Sequence, residues 1–245
     1  MASRRTSRRA ALDRLIAFPF AHRGLHGSGR IENSRAAFAA AIEAGHGIEL
    51  DVQSSRDGTA FVFHDSELDR LTSVKGPFAE RSAAELQAMR LHGGETVPPL
   101  TEILRLIGGN APLLIEVKAP NRDVARLCLS VFRSLEAYRG PVAIMSFNPE
   151  VGRWFARHAP RILRGLVVTE SGKTALRGRV ERQIALWRAR PDFLGYDIRD
   201  LPSSFAAAQR RRGLPTLTWT VRSEEERARA ARHADQIIYE AQTPS

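Results

Sequence analysis

The sequence predicts an α/β fold closed as a (β/α)8 barrel, and three observations carry that prediction. Short apolar runs that read as strands alternate with stretches of helical periodicity from residue 16 to residue 239, the pattern of a parallel sheet with helices outside it. Nine such runs are present. One of them is reached by an Asp57-Gly58 turn too short for a parallel crossover, so it pairs as a hairpin and leaves eight for the barrel. Ionisable residues stand at the ends of these runs or inside them, and a barrel gathers its chemistry at the C-terminal ends of its strands.

The elements follow in order. Residues 1 to 9 read as a disordered basic arm, and Ala10 to Ile16 as a short amphipathic helix. Ile16 to Ala21 is the first strand and ends at His22. A helix follows from Ser34, with Asn33 or Ser34 as its cap and Ala36, Phe38, Ala41 and Ile42 on one face. Gly45 and Gly47 close it before the second strand, Ile48 to Val52. Thr59 to Phe63 is the hairpin partner and ends at His64. Residues 65 to 99, rich in Gly and Pro with one helix near Ala83 to Met89, form an excursion from the main domain. Alternation resumes with a helix near Leu100 to Ile107 and the strand Leu113 to Val117. A helix over Asp123 to Leu135 then leads to Val142 to Met145, and Pro149 to Arg157 leads to Leu163 to Val168. A helix between Thr174 and Arg188 precedes Phe193 to Tyr196, and one over Ser203 to Arg211 precedes Thr216 to Val221. The last helix, Ser223 to Arg232, leads to Gln236 to Tyr239, which closes the barrel on the first strand.

Composition narrows the function classes. With 43% apolar and 26% charged residues the 245-residue chain is an ordinary globular domain. No run approaches the ~20 apolar residues of a membrane span, and charges in the middle of residues 10 to 16 exclude a secretory core there. One cysteine, Cys128 on an apolar helical face, forms no intrachain disulfide and suits a reducing compartment. The cytoplasm is the expected address. The net charge of +10 carries no aromatic RNA-binding signature and no zinc-finger spacing, so nucleic acid is not the expected partner. A solvated basic surface is the simpler reading; steering of anionic substrates, or weak peripheral contact with an anionic membrane, is the sharper one.

Five segments carry the chemistry: His22-Arg23-Gly24, Glu32-Asn33-Ser34, Glu49-Leu50-Asp51, His64-Asp65 and Glu116-Val117-Lys118. Glu49 and Asp51, two apart on a strand, share a face. Such a pair either has basic partners at a surface or shares a cation. Oxygen-only ligands select a hard ion, and Mg²⁺ and Ca²⁺ both satisfy that donor set. Glu116, on a neighbouring strand end, supplies a third ligand. His22 and His64, each just after an apolar strand, titrate near neutrality and suit a general acid and a general base. Arg23 offers a planar fork for phosphate oxygens, and Lys118 points to the same face as Glu116. His26, His46, His92, His158 and His233 lack this context and read as surface or packing residues. Together these groups fit metal-assisted displacement at phosphorus.

The same segments resemble the glycerophosphodiester phosphodiesterases. The likeness extends through Asp57-Gly58, Leu68-Asp69-Arg70-Leu71-Thr72, Gly76, Glu85-Leu86, Val97-Pro98-Pro99-Leu100 and Ile115-Glu116-Val117-Lys118. It returns at Ser146-Phe147, Thr218-Trp219-Thr220-Val221 and Ala234-Asp235-Gln236-Ile237-Ile238. The resemblance implies a TIM barrel over residues 16–245, after an arm and short helix at 1–15, with a small insertion after the second strand at about 65–99. It places metal ligands on Glu49, Asp51 and Glu116, acid and base on His22 and His64, and phosphate contacts on Arg23 and Lys118. Glu32 and Asn33 become supporting residues, and Trp219 a wall of the substrate pocket or a core residue. Arg222 stands where the family often has Asn, and Tyr239-Glu240 where it often has Thr-Asp. Both positions are expected at the rim, bearing on the choice of alcohol more than on the chemistry.

Hydrolysis of glycerophosphodiesters to glycerol 3-phosphate and an alcohol is the leading expectation. A related phospholipase on intact or lyso-phospholipid headgroups is a second, and needs an apolar rim that the excursion would have to build from Leu68, Leu71, Val74 and Phe78. A basic binding protein without catalysis is a third; it requires residues 1 to 9 and tolerates His22→Ala.

Overall fold

A computed structural model of the chain describes residues 2–172 and 175–241. The strands among the described residues are β1 (Phe20–Ala21), β2 (Gly47–Ser54), β3 (Ala60–Val62), β4 (Leu113–Val117), β5 (Val142–Ser146), β6 (Leu163–Val168), β7 (Phe193–Asp197), β8 (Thr216–Val221) and β9 (Gln236–Tyr239). All but β3 run parallel, and β1 pairs with both β2 and β9, so eight strands close into a barrel. β3 lies antiparallel against β2, from Val52↔Val62 to Ser54↔Ala60, as the short turn requires.

The helices are α1 (Ala2–Leu15), α2 (Arg35–Glu43), α3 (Ala83–Ala88), α4 (Leu100–Ile107), α5 (Ala125–Leu135), α6 (Pro149–His158), α7 (Ala175–Ala189), α8 (Ser204–Arg211) and α9 (Glu224–His233). Local chemistry starts several of them. The Ser34 hydroxyl accepts from Ala37 N at the head of α2, and Ser82 and Glu85 form a reciprocal cap on α3. Asn148 caps α6 with Pro149 in its first turn, and Ser203 and Ser223 cap α8 and α9. Of the helix expected from Thr174, Thr174 itself lies outside the described residues.

Alternation along the strands sorts the side chains into two cores. Ile48, Leu50, Val52, Leu113, Ile115 and Val117 face outward beneath the helices. Phe20, Leu114, Met145, Val167, Phe193, Leu217 and Ile238 fill the barrel interior. Leu12 and Leu15 of α1 join that inner cluster, so α1 forms the barrel floor. Here the structure differs from the expected disordered arm and short helix at residues 10–16. The helix begins at Ala2, and Arg8 binds the Asp192 carboxylate and the carbonyls of Pro160 and Ile162. The first strand is correspondingly short: Ile16 N bonds Leu12 O, and pairing begins only at Phe20, after Pro19.

The excursion after β3 has a core of its own. Leu68, Leu71, Phe78, Leu86, Leu91 and Val97 pack on Phe61 and Phe63, with Phe63 and Phe78 stacked at 5.0 Å. Among the described residues no helix is long and apolar enough to cross a membrane.

Candidate active site

Strand register assembles the carboxylates. Glu49 and Asp51 alternate inward on β2, and the parallel register sets Asp51 beside Glu116 on β4. One oxygen of each of Glu49, Asp51 and Glu116 lies within 4.8 Å of the others, and all three residues are buried. Asn33 steadies this group: its Nδ2 donates to Asp51 Oδ2 at 3.0 Å and its Oδ1 accepts from Asp51 N at 3.3 Å.

The ends of β1 and β4 bring the cations. Arg23 has φ +56° and Gly24 φ +79°, both in the left-handed region. A Cβ on Gly24 would stand 2.9 Å from the Cβ of Ala37, so glycine at this position lets α2 approach the loop. The turn aims Arg23 inward. Its backbone N–H donates to Glu49 Oε2 at 3.1 Å, its Nε lies 3.1 Å from Asp51, and a terminal nitrogen donates to Glu32 at 2.8 Å. Lys118 Nζ lies 3.1 Å from Asp51 and 2.6 Å from Glu116.

Burial and charge divide the three acids. Burial alone would raise Asp51, but Lys118 and Arg23 outweigh it and hold its carboxyl well below the usual range. Burial, with Asp51 and Glu116 nearby, pushes Glu49 well above that range. Glu116 is raised mainly by burial, against the pull of Lys118. Glu49 Oε1 is inaccessible and has no hydrogen-bond partner, and an orphaned buried carboxylate oxygen calls for an explanation. Asp51 Oδ1 and Glu116 Oε1 likewise lack a hydrogen-bond partner and meet only the Lys118 ammonium, and three converging carboxylates so placed fit a hard divalent cation.

Each histidine is held by a carboxylate through Nδ1. His22 Nδ1 lies 2.7 Å from Glu240 Oε1, and His64 Nδ1 lies 2.7 Å from Asp65 Oδ1. An ionised carboxylate only accepts, so Nδ1 carries the proton and Nε2 is left for chemistry. His22 Nε2 lies 3.9 Å from Glu49 Oε2. Burial lowers the pKa of His22, partly offset by the Glu240 bond, and keeps its ring neutral at neutral pH. Asp65 is braced by Arg70, which also reaches Glu32. Thus one arginine of the insertion links the mounts of His64 and Arg23.

His22, Arg23, His64, Glu116, Lys118 and Trp219 line one cleft of about 400 Å³ at the barrel mouth. Glu49, Asp51, Glu32 and Asn33 support it from beneath or behind. Trp219 lines the cleft, and its body packs on the interior cluster.

Several residues here were not singled out for roles by the sequence reading. Phe147 meets Trp219 edge-to-face at 5.5 Å and forms a second aromatic wall; Ser146-Phe147 in the family likeness was its signal. Arg199 lies at the rim, clamped to Asp197 by its Nε and a terminal nitrogen. His26, expected at the surface or in packing, has a ring nitrogen within 4.8 Å of ligand atoms of His22 and Glu240. Glu240 and Arg222 were expected at the rim, bearing on the alcohol more than on the chemistry. Arg222 lines the cleft and binds Glu240 through two nitrogens at 2.6 and 3.0 Å, and Glu240 holds His22. The two departures from the family pattern are therefore partners, and they act on the histidine.

Known proteins share this fold and sequence pattern. The family model described as "Glycerophosphoryl diester phosphodiesterase family" matches residues 22–239. A glycerophosphodiester phosphodiesterase of Bacillus altitudinis is 36% identical over 110 residues, 42% of this chain and 44% of that protein. One from Caldanaerobacter subterraneus is 33% identical over 147 residues, covering 56% and 60%. The chain thus spans about half the length of these curated relatives. A solved phosphodiesterase of Oleispira antarctica, in complex with the product sn-glycerol-3-phosphate, shares the fold with a TM-score of 0.77. It is 23% identical, with 91% of this chain and 93% of that one covered.

Proposed function

The chain belongs to the glycerophosphoryl diester phosphodiesterase family, a family of hydrolases, and from that premise we propose that it hydrolyses glycerophosphodiesters to glycerol 3-phosphate and an alcohol by histidine acid–base catalysis assisted by one divalent cation. The observation that carries this reading is the convergence of three buried carboxylates, two carboxylate-mounted histidines and two inward cations at one mouth. Glu49, Asp51 and Glu116 would hold Mg²⁺ or Ca²⁺. When bound, that ion supplies positive charge to the phosphoryl oxygens.

The remaining steps belong to the chain's own residues. Arg23 and Lys118 bind the non-bridging phosphate oxygens, and Glu32 and Asn33 hold Arg23 and Asp51 in place for that task. His22, neutral with its Nε2 lone pair free, takes the proton of the attacking water as its oxygen bonds phosphorus. The bond from phosphorus to the alcohol oxygen breaks, and His64, mounted on Asp65, protonates the leaving alkoxide. Trp219 and Phe147 cover the carbon skeleton of the diester.

A glycerol 3-phosphate product, seen with the Oleispira relative, accords with this chemistry. A small water-soluble diester also accords with the insertion, where Leu68, Leu71 and Phe78 are buried in their own core and only Val74 of the four remains exposed. That leaves the phospholipase reading without its apolar rim. A cytoplasmic setting accords with the buried, unpaired Cys128.

The test is a panel of glycerophosphodiesters and lysophospholipids assayed with Mg²⁺, Ca²⁺ or neither. Turnover of the diesters is expected to need a cation and to fall by roughly 10²-fold or more in His22→Ala and His64→Ala, with unchanged far-UV dichroism. Full activity of a folded Glu49→Ala/Asp51→Ala variant would sink the metal assignment.

A further inference from the structure

The outer face of α7 carries a pattern that the catalytic site does not use. Leu176, Val180, Ile184 and Trp187 recur three or four residues apart and so share one stripe. They are 76%, 52%, 48% and 74% exposed, which is unusual for four large apolar side chains in a row on a soluble surface. The opposite face of α7 is the packed one: Arg182 and Ala189 are buried, and Ala185 and Leu186 lie against the main core.

Arginines flank the stripe on both sides. On a helical projection Arg179 precedes it, with Arg190 just beyond the helix end, and Arg177 and Arg188 follow it. Beside Trp187, a groove of about 400 Å³ between α6 and α7 is lined by Arg153, Arg157, Arg188 and Arg190. The acids on this surface are Glu150, which pairs with Arg153 and Arg188, and Glu181, which pairs with Arg177. The face is therefore apolar along its centre and carries a net excess of arginine at its margins.

We infer that this face docks the protein onto an anionic lipid bilayer. Aliphatic and indole side chains enter the interface between headgroups and acyl chains, while arginines beside them bind lipid phosphates. Charge decides among occupants. A second copy meeting through the same stripe would bring two sets of arginines together, which is unfavourable. Nucleic acid would find phosphate partners but no use for Leu176, Val180 and Ile184, which offer no stacking surface. An anionic bilayer satisfies both features. α7 follows the mouth end of β6 and runs along the barrel's side, so docking there leaves the mouth open to water and to soluble diesters. Glycerophosphodiesters arise when the acyl chains of glycerophospholipids are hydrolysed, a reaction that occurs at a bilayer.

The experiment is co-sedimentation of the full chain with vesicles of phosphatidylcholine alone and of equal parts phosphatidylcholine and phosphatidylglycerol, read together with tryptophan emission. Binding is expected to the anionic vesicles only, with a blue shift of Trp187 emission, and to weaken at about 0.5 M salt. Leu176→Ser/Trp187→Ala and Arg157→Glu/Arg179→Glu, all at exposed positions, are each expected to weaken it by about tenfold or more. Their melting temperatures and hydrolysis of a soluble diester should be unchanged. Absence of binding to anionic vesicles, or binding that both variants retain, overturns the proposal. So does a dimer in sedimentation equilibrium that Leu176→Ser/Trp187→Ala dissociates, since the stripe would then be a contact between copies.

Discussion

Glu240→Gln tests the mounting of His22 without changing the size of the side chain. In the wild type Glu240 accepts from His22 Nδ1 at 2.7 Å and from two nitrogens of Arg222. Burial alone would raise Glu240, but the bonds from His22 and Arg222 keep its carboxyl well below the usual range and ionised. A hydrogen bond to a charged group contributes about 1.5–3 kcal/mol. A glutamine amide keeps an acceptor oxygen but loses the charge and presents an N–H₂ that can turn toward the ring. If the variant loses most of that bond in the transition state, kcat/KM falls by roughly 10- to 100-fold, at about 1.4 kcal/mol per decade. The carboxylate also raises the pKa of His22 against the lowering by burial. Its removal therefore shifts that pKa further down, and with His22 as base the acid limb of the kcat/KM–pH profile moves to lower pH. Steady-state assays on a glycerophosphodiester from pH 4 to pH 10 measure both effects, with Arg222→Ala as the control that spares the carboxylate. An unchanged profile, or movement of the alkaline limb instead, would refute the role given to Glu240 and the assignment of His22 as base.

Three further outcomes follow from the packing and the charges. Leu15→Ala, at a fully buried position in the barrel floor, should lower unfolding free energy in urea by about 2–5 kcal/mol; a negligible loss would mean that α1 does not seal the barrel. Burial would raise Asp235, but Arg210 and Thr216 N outweigh it and lower its pKa. Its stabilisation is thus present above the unfolded carboxyl value and lost as pH falls through the lower folded one, so the stability gap between wild type and Asp235→Asn should narrow below about pH 4. Glu49→Gln should raise the melting temperature of the metal-free protein at neutral pH while abolishing cation binding by calorimetry.

Much of the barrel was legible because apolar strands alternate with capped helices. Leu113–Val117, Leu163–Val168, Thr216–Val221 and Gln236–Tyr239 have the same limits in sequence and structure, since each apolar run ends in a turn or a polar cap. The carboxylate group was legible for a related reason. Glu49 and Asp51 obey the two-residue period of a strand, and Glu116 lies on the strand that pairs with theirs. What escaped was set by contacts between distant segments. Glu240 lies 218 positions from His22, and only closure of β9 against β1 joins them. Likewise nothing local announces that Leu12 and Leu15 cover the barrel's inner core, because that surface exists only once the strands have closed.

The stabilising effect expected of Glu49→Gln states the logic of the site in energetic terms. Three buried carboxylates face only two inward cations, Arg23 and Lys118, and the shortfall falls on Glu49, whose Oε1 has no hydrogen-bond partner. Burial and the neighbouring acids push its pKa well above the ordinary value. An acid raised in the folded state weakens that state as it ionises, so stability of the cation-free protein should fall as pH rises from the unfolded carboxyl value through the folded one. Glutamine removes that penalty and flattens the profile; a melting temperature that stays the same or falls would mean that the negative charge of Glu49 is already compensated. A divalent cation would reverse the imbalance by one charge, which the single negative charge of a phosphodiester then cancels. If the proposed cation and substrate bind here, the site would trade stability for binding, and Glu49 is the residue on which that trade would be measured.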